Sequence, residues 1–161
     1  MQSIDSAINN IRAGRSELVL AGDDGVVHAL RADGTEAPGW PVRTEAASWW
    51  PTWSVTARAA GIAPHHELVG VGTPATADLD GDGSPEIAVG DGGGAVSIWS
   101  ASGTLITRMH TDPAFHDQGA TNRWNRLKSG VLAQPSLGDL DGDGRLEIVA
   151  TAMDRHVYAW H

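Results

Sequence analysis

The sequence predicts an all-β chain of short antiparallel strands, repeated about three times, and three observations carry that prediction. Of its 161 residues twenty are glycine, eight are proline and only 19% are charged, the composition of many short elements joined by tight turns. A pattern of apolar run, Gly/Asp turn and alternating run occurs three times along the chain. Two of the copies follow near-identical acidic loops, DLDGDGSPE at 78–86 and DLDGDGRLE at 139–147.

The copies align without a gap through each shared stretch. ELVLAGDDGVVHALRADG begins at Glu17, EIAVGDGGGAVSIWSASG at Glu86 and EIVATAMDRHVYAW at Glu147, offsets of 69 and then 61 residues. In the second copy, β-branched runs at 87–89 and 96–99 flank Asp91-Gly92-Gly93-Gly94, which reads as a β-hairpin. Trp99 and Trp160 fall at one position, with Leu30 there in the first copy, and a large apolar residue repeated at a strand end reads as core packing between stacked sheets. Upstream, Pro74-Ala75-Thr76-Ala77-Asp78 matches Pro135-Ser136-Leu137-Gly138-Asp139, so a short strand leads into each acidic loop. Downstream, 105–109 supplies a fourth strand, and Gly39-Trp40-Pro41-Val42 occupies that region in the first copy.

About four strands in roughly 60–70 residues is the size of a β-propeller blade with a long connection. The chain is then one repeat region, 1–161, with approximate units 4–57, 68–126 and 131–161: two whole blades and a partial third, in a ring left incomplete or completed by other copies. Sliding the frame back from Glu17 places Asn9, Ile11 and Ala13 where the acids should be, while Gly14 and Glu17 survive, so the first copy carries a degenerate loop. The long connections at 44–71 and 111–131 hold Trp49, Trp50, Trp53, Trp124 and three of the seven histidines.

The acidic loops have the chemistry of a calcium site. Asp78, Asp80, Asp82 and Glu86 fall at positions 1, 3, 5 and 9, with glycine at position 6 for the sharp turn and the backbone carbonyl of Ser84 at position 7 as a further oxygen. Asp139, Asp141, Asp143, the Arg145 carbonyl and Glu147 repeat the set. Hard oxygens on a flexible loop suit calcium, which takes about six to eight of them, better than magnesium with its rigid octahedron. Four packed acids repel without a cation, so two calcium ions are expected as elements of folding. An EF-hand loop shares the first six positions but needs an acid at position 12, where this chain has Val89 or Ala150 inside a β-branched run.

Charge narrows the partners. The net charge is −9, and eight carboxylates sit in the two loops, so most of the excess is local. Eleven scattered basic residues argue against nucleic acid, and the loose group of Arg108, Arg123, Arg126 and Lys128 reads as a solvated loop. The absence of cysteine excludes disulfides, zinc–thiolate sites and thiol catalysis. No apolar run is long enough to span a bilayer, and residues 1–15 lack an apolar signal core, so the protein stays inside or its export signal lies on sequence beyond this chain.

A DxDGDG loop joining the first two strands of a four-stranded repeat resembles the FG-GAP or VCBS repeat, the blade of integrin-α-like β-propellers. The likeness is strong over 73–103 and 134–160 and weaker over 6–42, where Gly39-Trp40-Pro41-Val42 is similar to a blade-closing segment of bacterial members. The resemblance implies calcium on Asp78, Asp80, Asp82 and Glu86 and on Asp139, Asp141, Asp143 and Glu147. Glutamate stands where aspartate is often found at the ninth position. It also implies an extracellular or cell-surface module for adhesion or for recognition of a protein or carbohydrate, with no catalytic residues of its own. An enzyme of the polysaccharide-lyase type stands as the alternative, with His65, His66, His110 or His116 as base and Arg123 or Lys128 steadying a carboxylate. The histidines have no partners at a recognisable spacing, and no nucleophile elbow, phosphate loop or zinc-binding helix motif occurs. A purely structural repeat within a larger polypeptide is the third reading.

Overall fold

The computed structural model describes residues 17–22, 25–45, 71–116 and 129–161. The degenerate loop at 9–16, Trp49, Trp50, Trp53, Trp124, His65, His66, Arg123, Arg126 and Lys128 lie outside them. Within the described residues the chain is all-β, with three antiparallel sheets, one single-turn 3-10 helix at Pro113–Phe115 and no α-helix. The first sheet has the order β1 (Glu17–Ala21), β2 (Val26–Arg31), β3 (Val42–Arg43). The second is four-stranded: β4 (Ala75–Ala77), β5 (Glu86–Gly90), β6 (Ala95–Trp99), β7 (Leu105–His110). The third contains β8 (Ser136–Gly138), β9 (Glu147–Thr151) and β10 (Val157–Trp160), with β9 in the middle.

One turn builds the hairpins. At 22–26, 91–95 and 152–156 the first amide donates to the carbonyl four residues on, and the fourth amide donates back to the first carbonyl. The turns at 31–35 and 100–104, which lead out of β2 and β6, repeat the same two bonds. The fourth residue of each is left-handed, with φ of 74° at Gly25, 81° at Gly34, 93° at Gly94, 76° at Gly103 and 75° at Arg155. Glycine takes that conformation without the Cβ penalty, which is why the sequence shows it at four of the five. Buried Asp91 locks the central turn by accepting from the Gly93 and Ala95 amides at 2.9 and 3.1 Å, and burial pushes its carboxyl above the usual range.

The surroundings of two of these glycines set apart two costs. A Cβ on Gly34 would meet nothing within 4 Å, whereas one on Gly94 would lie 2.6 Å from Thr111 Oγ1 and 2.7 Å from Ser129. Gly34→Ala should therefore cost only the left-handed backbone, about 1 kcal/mol. Gly94→Ala should cost a further ~1–3 kcal/mol for overpacking. Urea midpoints of the two variants check the difference.

The sheets stack face to face, and the middle one is buried on both sides. Every residue of β5 and β6 is buried. Ile87, Val89 and Trp99 pack with Val19, Val27, Ala29, Ala37 and Trp40 of the first sheet and its exit. On the opposite face Ala88, Val96 and Ile98 pack with Ile148 and Ala150 of the third sheet and with Val131. Alternation along the strands thus sends successive residues to different neighbours. Each fully buried side chain of this kind contributes about 1.5–3 kcal/mol. Trp99 is 2% exposed and Trp160 is half-buried against the second core, as the repeated large residue predicts, while Leu30 is half-buried and belongs to neither core.

The first-copy segment departs from its expected path. Only Val42 and Arg43 pair with β2, and Gly39-Trp40-Pro41 bulges away from the sheet, the Trp40–Pro41 peptide being cis. The bulge inserts Trp40 between the sheets, where its Nε1 donates to the Ala101 carbonyl at 3.0 Å. Polar contacts reinforce both junctions. Arg108 donates from Nε to Ser97 Oγ and from Nη2 to the Arg43 carbonyl, and His110 pairs with Glu45 at 2.8 Å. Across the other junction, the Asp112 amide donates to Tyr158 Oη, which itself donates to Asp154 at 2.5 Å; burial and that bond push the phenol up to about 12.

Candidate metal centre

Each acidic loop joins the leading strand of a sheet to the next, β4 to β5 and β8 to β9. The loop closes on its own carboxylates. Asp78 accepts from the Gly81 amide at 2.7 Å and the Gly83 amide at 2.9 Å, Asp80 from Asp82 at 3.1 Å and Asp82 from Ser84 at 2.7 Å. Glu86 opens β5 and reaches back to the Leu79 amide at 2.8 Å. The second loop repeats the set: Asp139 with Gly142 and Gly144 at 2.6 and 3.0 Å, Asp141 with Asp143 at 3.1 Å, Asp143 with Arg145 at 2.8 Å, Glu147 with Leu140 at 2.7 Å. Gly81 and Gly83 have φ of 80° and 88°, and Gly142 and Gly144 have 80° and 89°. These left-handed residues curl the backbone so that alternate aspartates face inward.

Ligand atoms of Asp78, Asp80 and Asp82 all lie within 4.8 Å of one another, as do those of Asp139, Asp141 and Asp143. Calcium binds oxygen at about 2.3–2.6 Å, so two oxygens on one ion stand no more than about 5 Å apart. The donor sets fit calcium in chemistry and in spacing. Glu86, 3% exposed, and Glu147, 6% exposed, lie at the base of their loops. Burial raises the Glu86 carboxyl above its usual range and the charges of Asp80, Asp82 and Asp78 raise it further, against the lowering effect of the Leu79 amide. Such crowding of like charge is what a bound cation relieves. The backbone amides engage one oxygen of Asp80 and one of Asp82, and each carboxylate has a second. Ser84 and Arg145, expected to offer carbonyls, stand exposed at the loop exits with their amides committed to Asp82 and Asp143.

The structure adds a residue that the spacing of the loop does not indicate. His161 Nδ1 lies 2.8 Å from Glu147 Oε1, and Asp141, Glu147 and His161 form a group overlapping the second aspartate cluster. The bond to Glu147 and the nearby charges of Asp143 and Asp141 raise the imidazole above its ordinary value. His161 is fourteen residues from Glu147 in sequence, and the pairing of β9 with β10 brings it there. Its counterpart in the second copy, at the offset of 61 residues, is Ser100, so the repeat gives no signal for it.

Stacked antiparallel sheets, two of them entered through an acidic loop, define a repeat module of the β-propeller type. The family model for the FG-GAP-like repeat matches residues 78–150, from the first aspartate of one loop into the strand beyond the next. Over that span the chain is similar to an FG-GAP-like repeat. No match is found among curated proteins. Among the described residues no helix is long and apolar enough to cross a membrane.

Proposed function

We propose that the chain is a calcium-stabilised recognition module, acting outside the cell in adhesion or in binding a protein or carbohydrate, and not an enzyme. The observation that carries the proposal is the pairwise agreement of two separate loops in hydrogen bonding, backbone conformation and convergence of three aspartates. Extracellular calcium, near millimolar, fills even weak sites of this kind. With the loops fixed, the connections between strands are available as a recognition surface. The described histidines from the enzyme reading have structural partners: His110 pairs with Glu45 and His116 with Thr111 Oγ1 at 2.9 Å. That use supports a binding role over a catalytic one.

Calorimetric titration with calcium tests the proposal. The wild-type chain should take two ions, and Asp80→Asn or Asp141→Asn should each remove one. Asparagine keeps the oxygen that accepts from the Asp82 or Asp143 amide and loses only the charge, so the loop is preserved while the site is weakened. A titration with no heat of binding, combined with unchanged unfolding on chelation, would refute it.

A further inference from the structure

The two end sheets expose the two halves of an interface that the chain already makes twice within itself. Cross-strand pairing puts Leu18 opposite Leu30, Ile87 opposite Trp99 and Ile148 opposite Trp160. These positions, with Leu20, Val89 and Ala150, form one face of each sheet, and in the second and third sheets that face packs on the preceding sheet. The other face is formed by Val19, Ala29 and Val27 in the first sheet and by Ala88, Ile98 and Val96 in the second, and it packs on the sheet that follows. In the third sheet that second face consists of Val149, Ala159 and Val157, and it lies outside both cores.

Among the described residues, two apolar faces therefore remain. In the first sheet Leu20 is 42% exposed, and Leu18 and Leu30 are half-buried outside either core. In the third sheet Val157 is 67% exposed beside Val149 and Ala159. The bulkier leucine face corresponds to Ile87, Val89 and Trp99, and the valine and alanine face corresponds to the Val19, Val27 and Ala29 set that covers them. We infer that the occupant of each face is a second copy of this chain, joined head to tail, the leucine face of one copy on the Val149/Val157/Ala159 face of the next. Such a contact is heterologous, since the two surfaces differ, and it propagates until the ring closes.

The test is sedimentation velocity on the whole chain across the micromolar range. The wild type should associate by mass action. Leu20→Asp and Val157→Asp should each sediment as monomers, because each loses one face. An equimolar mixture of the two should form a dimer and nothing larger, since each variant retains the face the other lacks. Both positions are exposed, so far-UV circular dichroism should be unchanged. If Val157→Asp disturbs β10, Ala159→Asp replaces it in the same experiment. A wild type that stays monomeric, a single variant that still associates, or a mixture that remains monomeric overturns the inference. None of these outcomes depends on whether the acidic loops bind an ion, and the calorimetric result leaves this one untouched.

Discussion

Chelation of calcium is expected to lower the melting temperature of this chain by about 10–20 °C relative to the calcium-saturated protein. A ligand held only by the folded state stabilises it by about 2.7 kcal/mol at one hundred times its dissociation constant, so two sites contribute about 5 kcal/mol. For a domain of this size each kcal/mol shifts the midpoint by about 2–4 °C. Without the cation, the three aspartates of each loop face one another, and buried Glu86 adds a fourth acid beneath Asp78, Asp80 and Asp82. The loops close through backbone amides, so they should stay folded locally while the sheets they enter lose stability. Asp80→Asn and Asp141→Asn should each remove about half of the calcium-dependent shift, and the pair nearly all of it. Scanning calorimetry with and without chelator measures both, and a shift that survives the double substitution would place the ions elsewhere.

Much of this architecture was legible because the repeat imposes the same physical solution each time. The gap-free alignment of the three copies reappears as strand register, with Leu18, Ile87 and Ile148 opposite Leu30, Trp99 and Trp160. The Gly/Asp runs become one turn type because its fourth residue must be left-handed. The acidic loops were legible for the same reason, since spacing alone forces alternate carboxylates inward. What the sequence did not reveal depends on neighbours distant along the chain. Six positions separate Glu36 from Val42 where four separate Leu105 from Met109, and the two extra residues produce the bulge that carries Trp40 into the junction between sheets. A strand pattern read along one copy has no means of showing that. The contact of His161 with Glu147 likewise arises from pairing across a hairpin, not from the motif.

Equivalent tryptophans should differ sharply in what they contribute, and this is the second large effect. Trp99 and Trp160 hold the same place in their repeats, yet Trp99 is 2% exposed, within the core shared by the first two sheets, and Trp160 is half-buried at the edge of the last. Trp99 is surrounded by Val19, Val27, Ala29 and Trp40 from one sheet and its exit and by Ile87 and Val89 from its own. Trp160 stacks on Tyr158 at 5.6 Å between centroids and packs partly on the second core. Trp99→Ala should cost about 3–5 kcal/mol, because the cavity is fixed by two sheets and cannot collapse. That is a large share of a total stability of about 5–15 kcal/mol. Trp160→Ala should cost about 1–2 kcal/mol, since water already reaches its ring and less apolar area is lost. Urea unfolding followed by far-UV circular dichroism compares the two, and equal costs would mean that the middle sheet is not clamped on both faces. Trp99 also pairs with Ile87, the residue after Glu86, so its loss should loosen the base of the first acidic loop. Calcium affinity should then fall at the first loop and hold at the second, which calorimetry on Trp99→Ala in the Asp141→Asn and Asp80→Asn backgrounds separates.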